Sequence, residues 1–243
     1  MDVLGLRTHV REAGAGETIV LVHGLGVSGR YFGPLGEVLA CSRRVLVPDL
    51  PGWGRSESPP RPLGVGGAAD VLAELVRLEG VGTVPLVANS FGCQVVCALA
   101  QRRPELVGPL VLIGPTVDAG YRSWVRHAGR LVLDSSREPR AMLPILLGDY
   151  ARVGVRRLIA TARSALADDL EERLPLVEQP VLVLRGERDA ITTLAWARRC
   201  AELAPRGRFE PIAKAAHLPH FSHPGSTARL VEAFLAEGGD RLR

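Results

Sequence analysis

Three residues of this 243-residue chain have the types and the order for nucleophilic catalysis: Ser90, Asp189 and His217. Ser90 sits in Ala88-Asn89-Ser90-Phe91-Gly92, directly after the apolar run Val84-Pro85-Leu86-Val87. This reads as a nucleophile elbow, a sharp strand-to-helix turn that presents a serine hydroxyl at the end of a sheet. Ala88 and Gly92 are small because bulky side chains would collide across so tight a turn. A serine after a strand is also a common helix N-cap, its hydroxyl accepting a backbone N–H, so the motif alone leaves both roles open. A serine hydroxyl needs an imidazole to take its proton, and the imidazole needs a carboxylate to hold its tautomer and stabilise its charged form. Asp189 closes Arg185-Gly186-Glu187-Arg188-Asp189 after a strongly apolar run, and His217 lies in Ala215-Ala216-His217-Leu218-Pro219-His220, before the last helical stretch. Parallel strands would deliver all three to one end of a sheet.

The elements that must position them alternate in the first half of the chain, as βα units around a mostly parallel sheet do. Short apolar runs predict strands at 5–12, 18–23, 44–48, 84–88, 109–113, 180–185 and 207–212. Apolar residues at three- and four-residue spacing predict helices at 30–40, 67–79, 91–102, 192–203 and 224–236. Between Pro115 and Pro180 the alternation stops, and residues such as Trp124, Leu131, Leu146, Val155 and Ile159 fall at mixed helical spacing without a convincing strand. That stretch reads as a helical insertion between two core strands, folded on the open end of the sheet.

Other motifs compete with this reading. His23-Gly24-Leu25-Gly26 closes an apolar strand, where glycines let backbone N–H groups approach a ligand oxygen, as an oxyanion hole demands. Gly24, Gly26 and Gly29, with Asp49 at the end of the next strand, also match a dinucleotide fingerprint. Against that, Gly33, Pro34 and Gly36 delay the helix that should already be under way at the third glycine, and Asp49 leads into the turn Leu50-Pro51-Gly52-Trp53-Gly54-Arg55-Ser56. Asp49 and Arg55 are expected to pin that turn, with Trp53 against the pocket wall, and His23 to be a hydrogen-bonded structural histidine. Asp118 is an alternative acid, but the turn around Asp189 is the better match. Pro219 and Pro224 break any helix that would align His217, His220 and His223 on a metal, so the second and third read as solvated loop histidines.

Composition narrows the class. Hydrophobic residues make up 47% and charged residues 23%, which is globular and not disordered. All but Lys214 of the 30 basic residues are arginine, interspersed with 26 acidic ones for a net +4. No basic block with interleaved aromatics appears, so no nucleic-acid partner is expected. No apolar run is long enough to cross a bilayer and the first residues lack the order of a signal peptide, which places the chain in the cytoplasm with its four cysteines reduced.

Jointly, His23-Gly24-Leu25-Gly26, Asp49 to Ser56, the Ser90 elbow, Gly186-Glu187-Arg188-Asp189 and His217-Leu218-Pro219-His220 resemble the α/β-hydrolase superfamily, in particular its small lid-bearing serine hydrolases of bacterial esterase and C–C hydrolase type. The one departure is Ala88 in place of the usual first glycine. The resemblance implies a mostly parallel sheet flanked by helices, a core of residues 1–115 and 176–243, and a helical lid at 116–175. By position it implies Ser90 as nucleophile, His217 as general base and acid, Asp189 as orienting carboxylate, and the N–H groups of Leu25 and Phe91 as the oxyanion hole. Trp53, Asn89 and Trp124 are expected to line the substrate pocket. No cofactor and no metal are required, and the expected partner is a small-molecule substrate, an apolar ester or another activated acyl compound. C–C cleavage, a cyclase or lyase step, and a non-catalytic ligand receptor on the same scaffold are the alternatives.

Overall fold

Leucine and β-branched runs that alternate with amphipathic stretches must be covered on both faces, and the computed structural model shows how. It describes residues 1–118, 129–130, 133–134 and 136–239. The strands β1 (Val10–Ala13), β2 (Thr18–Val22), β3 (Arg44–Pro48), β4 (Val84–Asn89), β5 (Val107–Ile113), β6 (Val181–Gly186) and β7 (Gly207–Ile212) form one sheet in the order β1-β3-β2-β4-β5-β6-β7. β1 pairs antiparallel to β3 and every other pairing is parallel. β2 and β6 are buried along their whole length, which is why Ile19–Val22 and Val181–Leu184 are continuously apolar instead of alternating.

Helices α2 (Val65–Glu79), α3 (Phe91–Arg102) and α7 (Leu194–Leu203) pack with one face of the sheet, whereas α1 (Gly33–Leu39) and α8 (Pro224–Gly239) pack with the other. The expected strand at 5–12 is two pieces. A small hairpin pairs Asp2–Val3 with Leu6–Arg7 around Leu4 and Gly5, both at positive φ, and β1 begins only at Val10. The expected helix at 30–40 opens as a 3-10 turn, Gly29–Phe32, before α1 starts at Gly33.

Between β5 and β6 lie α4 (Leu143–Val153), α5 (Val155–Ala167) and the short α6 (Leu170–Arg173), with no strand among the described residues. Gly154, at φ +76°, makes the break between α4 and α5. Buried Asp149 of α4 accepts hydrogen bonds from the Ser28 N–H (2.8 Å) and hydroxyl (2.7 Å), and Gln94 of α3 donates to the Ala165 carbonyl of α5 at 2.8 Å. These bonds hold the helices against the carboxyl end of the sheet. After β2 the chain moves outward to β3 and then crosses back to β4, so the β2 and β4 ends flank a topological switch point, where open α/β sheets bind ligands.

Candidate active site

β4 ends at Asn89, and Ser90 turns the chain into α3 at φ +55°, ψ −120°. A non-glycine residue there carries about 1–3 kcal/mol of strain, which is tolerated where the surroundings over-determine it. They do here. The Ser90 N–H donates to the Ile113 carbonyl at 3.0 Å, and a Cβ on Gly92 would lie 2.5 Å from the Val22 carbonyl oxygen. Ser90 makes no side-chain capping bond to α3, so its hydroxyl is not spent on the helix. That hydroxyl lies 3.4 Å from the Thr116 hydroxyl.

The loops after β6 and β7 bring Asp189 and His217 together: Asp189 Oδ2 is 2.9 Å from His217 Nδ1. The other carboxylate oxygen, Oδ1, accepts the N–H groups of Ile191 (2.7 Å) and Thr192 (2.8 Å), which fixes the carboxylate plane. Arg185 braces the same turn, donating to the Thr192 and Asp189 carbonyls at 2.7 Å each. Burial disfavours the imidazolium, but the carboxylates of Asp189, Asp134 and Glu138 outweigh it and push the His217 pKa up to about 9. Burial likewise opposes the Asp189 carboxylate, yet His217 and the two N–H bonds hold its pKa below the usual value. With Nδ1 engaged, His217 Nε2 is buried and has no partner among the described residues.

Gly114, just beyond β5, was not signalled by any motif. At φ +54° it lies under the pair, and a Cβ there would stand 2.8 Å from both Cε1 and Nδ1 of His217. Asp134 and Glu138, from the insertion, were also missed. The Ala190 N–H donates to Asp134 at 3.0 Å and the Leu218 N–H donates to Glu138 at 2.7 Å, so each carboxylate grips the residue that follows one member of the pair. Burial pushes the Glu138 carboxyl up to about 7 against its Leu218 bond. Two acids in a weakly patterned segment carry no spacing that could have revealed this.

The remaining candidates take structural places. Asp118 accepts the Thr193 hydroxyl at 2.7 Å, while Asp189 makes the bond to His217. Asp49 accepts the N–H groups of Gly29 (2.8 Å) and Arg55 (2.9 Å), so the acid of the dinucleotide fingerprint is tied to that fingerprint's own third glycine. His23 donates from Nδ1 to the Gly24 carbonyl (2.8 Å) and accepts the Leu50 N–H at Nε2 (2.8 Å), a neutral structural histidine. Asn89 lines the cavity, but its amide donates to the carbonyls of Ile113 (3.0 Å) and His217 (3.3 Å) and accepts the Tyr31 hydroxyl (2.9 Å). Trp53 lines neither cavity at Ser90; it is buried in the core that also holds Leu50, Val65 and Phe91. Trp124 lies outside the described residues. His220 is not solvated: the turn at Pro219 carries it inward against the rings of Tyr31 (4.5 Å) and Phe32 (4.4 Å), and burial pushes its pKa well down.

Two cavities meet at Ser90. The larger, about 400 Å³, is lined by Ser90, His217, Asp134, Glu138, Arg140 and Tyr150 among others. The smaller, about 90 Å³, is lined by Ser90, Phe91, Thr116, Val117, Ala162 and Ala165 among others. Leu25 borders both. The neighbouring Gly24 N–H is taken by the Tyr31 hydroxyl at 2.6 Å, whereas Phe91, at the first position of α3, has an N–H that no intrahelical carbonyl can reach. Among the described residues no three histidine, cysteine or carboxylate side chains group as a metal site, and no helix is long and apolar enough to cross a membrane.

Known proteins share this arrangement of elements. The chain is 30% identical over 265 residues to the 2-hydroxymuconate semialdehyde hydrolase of Pseudomonas sp. (strain CF600), covering 96% of this chain and 92% of that protein. It is 26% identical to the pimeloyl-[acyl-carrier protein] methyl ester esterase of Stenotrophomonas maltophilia (strain R551-3), covering 94% and 96%. The enol-lactonase of Burkholderia xenovorans LB400 superposes with a TM-score of 0.81 at 22% identity, over 97% of this chain and 99% of that one, and shows the fold. A model of the alpha/beta hydrolase family matches residues 19–230. The chain belongs to that family and is a hydrolase.

Proposed function

We propose that this protein is a serine hydrolase that cleaves an ester, or a related activated acyl substrate, through an acyl-enzyme. The observation that carries this reading is the His217–Asp189 bond at 2.9 Å, which leaves Nε2 without a partner in the cavity that also holds the Ser90 hydroxyl. Ser90 rotates from Thr116 toward His217, and its oxygen attacks the substrate carbonyl as Nε2 takes the proton. The tetrahedral oxyanion rests on the N–H groups of Leu25 and Phe91. Collapse breaks the bond to the leaving group, which takes the proton from Nε2. A water then gives its proton to Nε2, attacks the acyl carbon and releases the acid, and the proton returns to Ser90. Residues 116–175 act as a lid that excludes bulk water, and the four free cysteines suit the reducing cytoplasm.

The Ser90→Ala variant is expected to lose roughly 10⁶-fold in kcat on p-nitrophenyl esters while its circular dichroism is unchanged. Parent-like turnover by a folded variant would end this reading. A second reading, C–C cleavage of a diketone on the same three residues, draws on the likeness to the 2-hydroxymuconate semialdehyde hydrolases of two pseudomonads, each 30% identical. Mass detection of the two fragments from such a diketone separates the two reactions.

A further inference from the structure

The two cavities at Ser90 differ in size and lining, and in one further respect that gives them a direction. His217 lines the larger and not the smaller. In acyl transfer the leaving group must receive its proton from the imidazole that took it from the serine, so the leaving atom has to face Nε2. A leaving group in the smaller chamber would face no imidazole: besides Ser90, its only hydroxyl-bearing neighbours among the described residues are Thr116 and Tyr150, whose O–H groups are far weaker acids than an imidazolium. The acyl substituent must then take the chamber that His217 does not border.

That chamber is short and apolar. Phe91, Val117, Ala162, Ala165, Leu166 and Ile191 contribute to its wall, and no charged side chain lines it among the described residues. At about 90 Å³ against about 400 Å³, it offers less than a quarter of the space of the larger chamber, room for a short chain only. The larger chamber, at about 400 Å³, falls within the range of pockets that enclose a whole small molecule. Asp134, Ser136, Glu138 and Arg140 supply it with hydrogen-bonding groups of both kinds.

Resting on the serine-hydrolase reading, we infer that the substrate joins a short apolar acyl group to a bulky leaving group that carries hydrogen-bonding substituents. The residues that limit the acyl chain are Ala162, Ala165 and Leu166 of α5. Ala165 is suited to a test because its carbonyl, which accepts the Gln94 amide at 2.8 Å, survives substitution of the side chain. Leu166 is only half-buried, so trimming it spares the core.

The experiment measures kcat/KM for p-nitrophenyl acetate, butyrate and octanoate with the parent, Ala165→Leu and Leu166→Ala, alongside fluorophosphonate labelling of Ser90. The parent is expected to favour butyrate over octanoate by at least 10-fold. Ala165→Leu is expected to depress butyrate at least 10-fold relative to acetate, and Leu166→Ala to raise octanoate relative to butyrate. Labelled Ser90 without a butyrate advantage, or a chain-length profile that neither variant moves, overturns the acyl assignment and leaves the serine-hydrolase reading standing. An unlabelled Ser90 with no ester cleaved removes both. Should Ala165→Leu fail to fold, Leu166→Ala still decides.

Discussion

The carboxyl end of the sheet and the helices inserted over it are built by different means. At the sheet end, strands such as β2 and β6 are wholly buried, and the main-chain N–H groups of Ile191 and Thr192 fix the Asp189 carboxylate. In the insertion, Leu147 is 68% and Val155 71% exposed, so apolar burial does little to seat those residues. A few buried polar anchors serve instead, Asp149 on Ser28 and Gln94 on Ala165 among them. The contrast separates two tasks. Acid–base chemistry needs sub-ångström placement, which a close-packed sheet supplies. Substrate selection needs a wall that can change without disturbing that placement.

The largest test of this division is at Asp189. Asp189→Asn keeps the size of the side chain but presents the wrong charge and tautomer to His217, and kcat should fall about 10⁴-fold. Steady-state kinetics on a p-nitrophenyl ester checks it, and a loss confined to KM would place Asp189 outside the chemistry. Gly114→Ala comes next. Its Cβ would push on the imidazole at 2.8 Å, and kcat should drop about 10²-fold in a protein that still melts cooperatively. Unchanged kcat would show that the pair has slack.

On the insertion side, Asp149→Ala leaves the buried Ser28 N–H and hydroxyl without their acceptor, at about 1–3 kcal/mol. The melting temperature should fall, by about 2–4 °C per kcal/mol, and KM should rise, while the kcat of the bound complex is largely kept. A collapse of kcat with unchanged KM would mean that the insertion also shapes the acid–base pair. The smallest effect is electrostatic. In the proposed reaction it is neutral His217 that takes the Ser90 proton, and its pKa is raised, so kcat/KM should climb with pH on a limb above 6.5. The titratable groups near the imidazole are Asp189, Asp134, Glu138 and His220. Glu138→Gln removes one negative charge while its amide oxygen can still accept the Leu218 N–H, so the limb should move to lower pH; a move to higher pH would contradict the field assigned to Glu138.

Much of the fold is legible in the sequence. Five of the helices and six of the sheet strands fall where periodicity predicts, because long apolar runs and amphipathic spacing report burial directly. The hairpin at the start was misread as one strand, since Leu4 leaves the extended region at φ 54° with no proline or asparagine to announce it. The local sequence puts Trp53 on a pocket wall and His220 in solvent. Both errors arise because a large aromatic or a histidine next to a turn has the same local sequence whether its ring points inward or outward.

Residue types and order along the chain single out Ser90, Asp189 and His217 as candidates, because an elbow demands small neighbours and strand ends demand turn residues, and both are local requirements. The pairing of Asp189 rather than Asp118 with His217, the carboxylates of Asp134 and Glu138 beside it, and the unequal chambers on either side of Ser90 arise from contacts between segments remote in sequence. Such contacts depend on strand order and on how the insertion docks. A chain whose insertion rests on a handful of polar anchors records those choices in its tertiary packing and in no local pattern.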